Sequence, residues 1–264
     1  MEYKDRMSNA LKPLVTAAML IIGDEILSGR TQDANIRALA NFLAPHGVQL
    51  HEARVVGDRS EDIIAAVNAL RARFSYVFTS GGIGPTHDDI TAKAIADAFG
   101  VPIGVREDAR AILEAHYGEA LNEARLRMAR IPEGAVLIAN PVSKAPGFQL
   151  GNVFVLAGVP SILRGMLEDV AHRMESADIV LARSLRAPGL REGDIGTQLG
   201  QLQRTHALVS IGSYPWFDAS GYGVNLVLRS TDATALEAAL AETAGLVRGQ
   251  GIEALVQPGT SAKA

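Results

Sequence analysis

Three apolar runs in the first third of the chain each stop at a turn rich in glycine and acid, and each is followed by residues at helical spacing. Val15–Ile22 is apolar almost throughout, as a strand buried on both faces must be, and it runs into Gly23-Asp24-Glu25-Ile26-Leu27-Ser28-Gly29. Val48–Val56 alternates enough for a second strand and ends in Gly57-Asp58-Arg59-Ser60. Ser75–Thr79 is the third strand, and it leads into a glycine loop. The spacing predicts helices over about Asp33–Pro45, with Ile36, Leu39, Ala40 and Leu43 facing the core, then over Ser60–Arg73 and Ala92–Phe99. A β-α-β-α-β-α order of this kind demands a parallel sheet with right-handed crossovers. Ligands in such sheets bind beyond the carboxyl ends of the strands. Asp24, Asp58 and the pair Asp88-Asp89 all follow strand ends, so one pocket is expected to collect them.

The third turn, Thr79-Ser80-Gly81-Gly82-Ile83-Gly84-Pro85-Thr86-His87-Asp88-Asp89-Ile90-Thr91, carries the most chemistry. Backbone N–H groups in a glycine turn between strand and helix face the positive end of the helix dipole and make a site for an anion. Pro85 stiffens the turn, and two carboxylates beside an anion site point to phosphate bound through a metal ion. No Gly-Lys-Ser/Thr follows, so the turn is not a Walker A loop, and it lacks the GxGxxG dinucleotide fingerprint. Other readings of the same residues stay open: Asp24 with Glu25, and Asp58, also suit helix caps or turns.

Further along, helices are expected over Glu107–His116 and Ala120–Arg130, and strands over Ala135–Ala139 and Val153–Leu156. Between those strands Asn140–Phe148 reads as a loop too irregular for a simple hairpin, and Pro160 opens a helix to about Met174. Arg125, Arg127 and Arg130 form a short basic set, read here as a solvated helix face. After Glu175 the pattern begins again. Ile179–Leu185, Glu192–Arg204, Ala207–Ser213, Tyr222–Arg229, Ala233–Gly249 and Ile252–Val256 give β-α-β-β-α-β, the order of a split-βαβ unit. Tyr214, Trp216, Phe217 and Tyr222 gather at its central turn, where core or oligomer packing is expected rather than base stacking. The expected division is a disordered leader over 1–12, an α/β domain over 13–176, a small α+β domain over 177–257 and a tail over 258–264.

Composition narrows the chemistry. A chain of 264 residues, 48% hydrophobic and 20% charged, suits a soluble globular protein with a large core. A net charge of −4 argues against a nucleic-acid partner. The apolar decamer Pro13–Ile22 is too short to cross a bilayer and has no cleavage site after it, so no membrane association is expected. With no cysteine there are no disulfides, thiolate metal sites or cysteine nucleophiles, which fits a cytoplasmic protein. The six histidines are scattered without metal-ligand spacing.

Gly23-Asp24-Glu25-Ile26, Val56-Gly57-Asp58 and the turn from Ser80 to Thr91 match, in order and spacing, the molybdopterin-binding superfamily of MogA and MoaB, which the chain resembles over Val15–Met174. The form Gly84-Pro85-Thr86-His87-Asp88-Asp89, the stretch Asn140-Pro141-Val142 through Phe148, and Ile211–Pro215 in the second domain are more similar to the CinA N-terminal part and to the corresponding domain of FAD synthases. The resemblance implies a three-layer, doubly wound, mostly parallel sheet with a smaller α+β domain, and a homo-oligomer, dimer or trimer. Two departures stand out. Leu156-Ala157-Gly158-Val159-Pro160-Ser161-Ile162 replaces a Leu-Pro-Gly-Val-Pro that CinA proteins follow with an acid, and 264 residues leave no room for an amidase or an FAD-synthesising domain, so neither activity is expected.

By resemblance, the ligand is a phosphorylated pterin or a dinucleotide, and the reaction a metal-dependent cleavage of ADP-ribose, FAD or a related pyrophosphate. The implied cofactor is a divalent ion, Mg, Mn or Co, held by Asp24, Asp58 and Asp89. Asp58 and Asp89 are the expected catalytic pair. Gly23, Asp24, Glu25, Ser80, Gly81, Gly82, Gly84, Pro85, Thr86, Asp88 and Asn140 are the expected substrate contacts, with the N–H groups of Gly81, Gly82 and Gly84 steadying negative charge. The alternative is a non-hydrolytic molybdopterin or nucleotide binder linked to molybdenum cofactor synthesis.

Overall fold

The computed structural model describes residues 15–175 and 178–258. The leader expected over 1–12, the tail beyond Pro258, and Ser176 and Ala177 at the expected boundary lie outside the described residues. Contacts divide the chain into two compact units between residues 177 and 178.

Strand β1 (Thr16–Ile22) explains its own composition: alternate residues serve opposite layers. Ala18, Leu20 and Ile22 pack with one set of helices, whereas Ala17, Met19 and Ile21 pack with the other. No position faces water, so none is polar after Thr16. A single turn, α1 (Asp24–Leu27), follows, then α2 (Asn35–Leu43), β2 (Gln49–Val56), α3 (Ser60–Arg71), β3 (Tyr76–Ser80) and α4 (Thr91–Phe99). β2 and β3 flank β1 in parallel, as the alternating order requires. Next come β4 (Ile103–Val105), α5 (Glu107–Tyr117), α6 (Glu123–Leu126), β5 (Arg130–Pro132), β6 (Val136–Ile138), β7 (Gly147–Leu150), β8 (Val153–Leu156) and α7 (Pro160–Val170).

The sheet runs β2-β1-β3-β8-β7-β6. Its first four strands are parallel, and β7 is antiparallel to both β8 and β6. α3, α4 and α5 bury Ile63, Val67, Leu70, Ile95 and Leu113 on one face; α2 and α7 bury Leu39, Leu43, Leu163, Met166 and Val170 on the other. The expected three-layer, mostly parallel architecture is therefore present. Phe78 and Phe154, partners in the β3–β8 ladder, stack at 4.9 Å and are fully buried. Truncating either to alanine costs about 3–5 kcal/mol at a site of this kind.

Two expectations for this unit fail. The irregular loop expected over Asn140–Phe148 ends earlier, since Gly147 and Phe148 already belong to β7 and pair with β6. Gly147 hides that strand from a propensity reading, and the close approach is the reason for the glycine: a Cβ there would lie 2.3 Å from the Val155 carbonyl oxygen. The helix expected over Ala120–Arg130 is cut into short pieces. Asn122 caps α6 by accepting the Arg125 N–H at 3.0 Å, and Arg130 leaves the helix to pair with Val105 across the β4–β5 ribbon.

The second unit contains β9 (Leu181–Pro188), α8 (Glu192–Thr205), β10 (Ser210–Asp218), β11 (Gly221–Ser230), α9 (Ala233–Gly249) and β12 (Leu255–Pro258). The sheet order is β10-β11-β9-β12, antiparallel throughout, around Leu185, Ile195, Val224, Leu226, Leu236 and Val247. The stretch expected as a long turn at Tyr214–Gly221 is mostly strand, with Ala219 and Ser220 alone making the turn. Pro215 suggests a break, but β10 is an edge strand, where a missing N–H is tolerated. No helix among the described residues is long and apolar enough to cross a membrane.

Candidate functional site

The parallel strands deliver their carboxyl ends to one rim. There the Gly23 N–H donates to the Val56 carbonyl at 3.1 Å and the Gly81 N–H to the Leu156 carbonyl at 3.2 Å, tying β1 to β2 and β3 to β8. Gly81, at φ 109°, passes so close to β1 that a Cβ would sit 2.1 Å from the Ile22 carbonyl oxygen. Gly82, at φ 68°, lies against Thr91, whose N–H donates to the Gly82 carbonyl at 3.0 Å while its hydroxyl donates to that of Gly81 at 2.9 Å. The start of α4 thereby clamps the loop. Gly81 spends its N–H on the sheet, so it is no anion donor, contrary to expectation. The N–H groups of Gly82, Ile83 and Gly84 have no acceptor among the described residues.

Those three residues line a cleft of about 550 Å³. Glu25, Pro85, Asp89 and Asn140 border it too, as does the start of α7 at Val159-Pro160, which adds a second helix N-terminus. Its apolar wall comes from Met128, Val159 and Ile162, with Tyr117 and Arg125 beside them. The Arg125 guanidinium lies 4.6 Å from the centre of the Tyr117 ring and donates to the Ala120 carbonyl. Tyr117, Met128 and the arginine were not legible as site residues, because nothing in the sequence places the 117–130 segment over the glycine loop.

The acids divide into two groups. The Asp24 N–H donates to Asp58 Oδ2 at 3.0 Å. Burial pushes the Asp58 carboxyl above its ordinary range; the Asp24 N–H opposes this, and the carboxylates of Asp24, Glu25 and Asp88 reinforce it. Asp89 belongs elsewhere: its Oδ2 accepts from the Thr86 N–H at 2.8 Å and from the Thr86 hydroxyl at 2.5 Å. The nearby Thr86 side chain, with the Asp88 N–H and the His87 ring, holds the Asp88 carboxyl below its usual range. Asp24, Asp58 and Asp89 are not brought together as a trio. Among the described residues no three Asp, Glu, His or Cys side chains form a group able to hold a metal ion.

Two expected substrate contacts turn out to be scaffold. Asn140 is buried with its amide fully used: Nδ2 donates to Ser143 Oγ at 2.7 Å and to the Ala145 carbonyl at 2.8 Å, and Oδ1 accepts the N–H groups of Val142 and Ser143. It folds the loop beside the cleft and has no hydrogen-bonding capacity left for substrate. Ser80 lies buried beneath the glycine loop, where its Oγ accepts from Asn35 Nδ2 at 2.8 Å. The same Asn35 amide donates to the Gly158 carbonyl at 2.6 Å, so the first residue of α2 pins both sides of the cleft floor. The basic set is not merely a solvated face, since Arg125 lines this cleft and Arg127 and Arg130 line a neighbouring one.

Comparison with known proteins agrees with this architecture. Residues 18–176 match the family model described as a probable molybdopterin binding domain, and residues 182–255 match that of the FAD synthase middle domain. A CinA-like protein of Gemmatimonas aurantiaca is 33% identical over 245 residues, which are 87% of this chain and 57% of that one. A CinA-like protein of Geobacter metallireducens is 34% identical over 88% of this chain and 58% of its own length. The chain thus spans less than two thirds of either relative. The crystal structure of a CinA protein from Thermoplasma acidophilum, described as of unknown function, superposes with a TM-score of 0.57 at 37% identity, over 60% of this chain and 96% of that one. With the glycine loop, the acid-tipped strand ends and the match across 18–176, the chain belongs to the molybdopterin-binding domain family, among the CinA-like proteins.

Proposed function

We propose that the cleft binds a phosphorylated small molecule with a planar ring, and that with a divalent cation it hydrolyses a dinucleotide pyrophosphate of the ADP-ribose or FAD kind. The observation that carries this reading is the row of N–H groups at Gly82, Ile83 and Gly84, without an acceptor among the described residues, set in a cleft that Asp89 also lines. Phosphate oxygens are the natural acceptors for such a row at a helix start. The apolar wall with Tyr117 and Arg125 suits the ring.

The carboxylates offer only oxygen donors, which fits a hard cation such as Mg²⁺ or Mn²⁺. Such ions take one or two carboxylates and complete their shell with water and phosphate; Asp24 and Asp58 do not line the cleft themselves but lie beside Glu25, which does, and would hold such an ion there. Bound there, the ion supplies charge neutralisation and a more acidic water. The chain's own residues do the rest. The loop N–H groups hold the phosphate oxygens as charge builds. Thr86 occupies Oδ2 of Asp89 and leaves Oδ1 to accept a proton. Water oxygen adds to one phosphorus, the bridging P–O bond breaks with its electron pair going to the leaving phosphate, and the water proton passes to Asp89.

Incubation with ADP-ribose, FAD or NADH and Mg²⁺, Mn²⁺ or Co²⁺ should release a mononucleotide. Asp89→Ala should abolish that release while leaving the circular dichroism spectrum unchanged; full retained activity refutes the assignment. The second reading is a binder that does not hydrolyse, which the loop N–H row and the apolar wall with Tyr117 and Arg125 serve without any metal. Ligand binding without product under any metal would select it.

A further inference from the structure

A second cleft, of about 490 Å³, shares Asp89 with the first. Thr86, His87 and Lys93 border it on the loop and α4 side, and Glu123, Arg127 and Arg130 on the other. The segment between the clefts is a sorted wall. Arg125 and Met128 line the first cleft, Leu126, Arg127 and Arg130 the second, and Ala129 is buried.

These arginines also differ from their neighbours in forming no ion pair among the described residues, whereas Arg106 pairs with Asp108, Arg110 with Glu114 and Arg173 with Asp169. Arg127 and Arg130 are exposed. Lys93 is held by Asp97, while Glu123 and Asp89 bring two carboxylates to the same cleft; Arg127 and Arg130, which join no ion pair among the described residues, are its available phosphate donors. Each cleft lies within the size range that takes a small-molecule ligand.

We infer that the second cleft receives the other phosphate-bearing half of the substrate, through Arg127 and Arg130, so that the pyrophosphate of a dinucleotide crosses at Asp89. The inference rests on the proposed function and sharpens it, for it selects dinucleotides over mononucleotides as the substrate class. Arginine forks grip phosphate with charge-assisted, often paired hydrogen bonds, and removing both should weaken a ligand that reaches them at least tenfold.

The test measures binding of ADP-ribose, as its non-hydrolysable methylene-bridged analogue, and of AMP to wild type and to Arg127→Ala/Arg130→Ala by calorimetry, with Mg²⁺ present. Expected is a loss of at least tenfold for ADP-ribose with AMP affinity unchanged within twofold, and recovery of most of the loss in Arg127→Lys/Arg130→Lys. Equal losses for both ligands, or no loss for either, overturn the inference, and no loss for either leaves the first cleft as the binding site. Wild type that binds neither ligand refutes the proposed function itself and the inference with it. Both arginines are exposed, so the variants keep their fold, which an unchanged melting temperature verifies.

Discussion

Asn35→Ala tests whether one buried amide holds the floor of the cleft together. Asn35 is 5% exposed, and its Nδ2 donates at 2.8 Å to Ser80 Oγ and at 2.6 Å to the Gly158 carbonyl. Each lost bond is worth about 1–1.5 kcal/mol, and two acceptors are left poorly solvated. Against this, Asn35 Oδ1 is itself buried without a partner, and its removal returns about 1 kcal/mol. With the two stranded acceptors adding about 1 kcal/mol, the net cost is about 2–3 kcal/mol, which lowers the melting temperature by about 4–12 °C for a unit of this size. Urea unfolding followed by circular dichroism reads the change, while fluorescence of Trp216, the sole tryptophan, reports the second unit and serves as an internal reference. Ser80→Ala alone should cost about 1 kcal/mol, and the double variant should fall short of the sum by about 1 kcal/mol because the two share a bond. Single-variant effects that add within about 0.3 kcal/mol, or an Asn35→Ala protein within about 0.5 kcal/mol of wild type, refute the reasoning.

Two further outcomes follow from the geometry. Gly81→Ala should destabilise by more than about 3 kcal/mol in the same urea assay, since its Cβ would meet the Ile22 carbonyl oxygen at 2.1 Å; Gly100→Ala, left-handed but with open space around it, should cost only about 1 kcal/mol, and equal costs would sink the distinction. Asp58→Asn should stabilise the protein slightly at neutral pH. The raised carboxyl pKa means the folded state pays for the charge above that pKa and is relieved as pH falls through it toward the ordinary aspartate value, so the advantage of asparagine vanishes in acid. Partial exposure screens the effect to under about 1 kcal/mol, and melting temperatures across the pH range that show the advantage growing toward acid would reverse the sign.

Much of this protein can be read from local pattern alone. The unbroken apolar run of β1 implies burial on both faces, and the alternation of strand and helix implies a parallel sheet, because each follows from periodicity and chain handedness. The glycine loop and the acids at strand ends are visible for the same reason: strand ends in such a sheet share one rim. What the tertiary structure decided is which of those groups remain available. Asn140 and Ser80 have the chemistry of ligand contacts, yet their hydrogen bonds are consumed by Ser143, Ala145 and Asn35, neighbours that pairing and packing bring to them. Asp89 is engaged by Thr86 on its own loop and not by Asp58, a partnership that no spacing encodes. Tyr117 and the arginines of 125–130 join the site through a segment whose helix breaks at Asn122 and at Arg130, where a ladder to Val105 outweighs helical propensity. Local sequence determined the rim of the site and its charge; long-range hydrogen bonds and packing determined which atoms face the cleft.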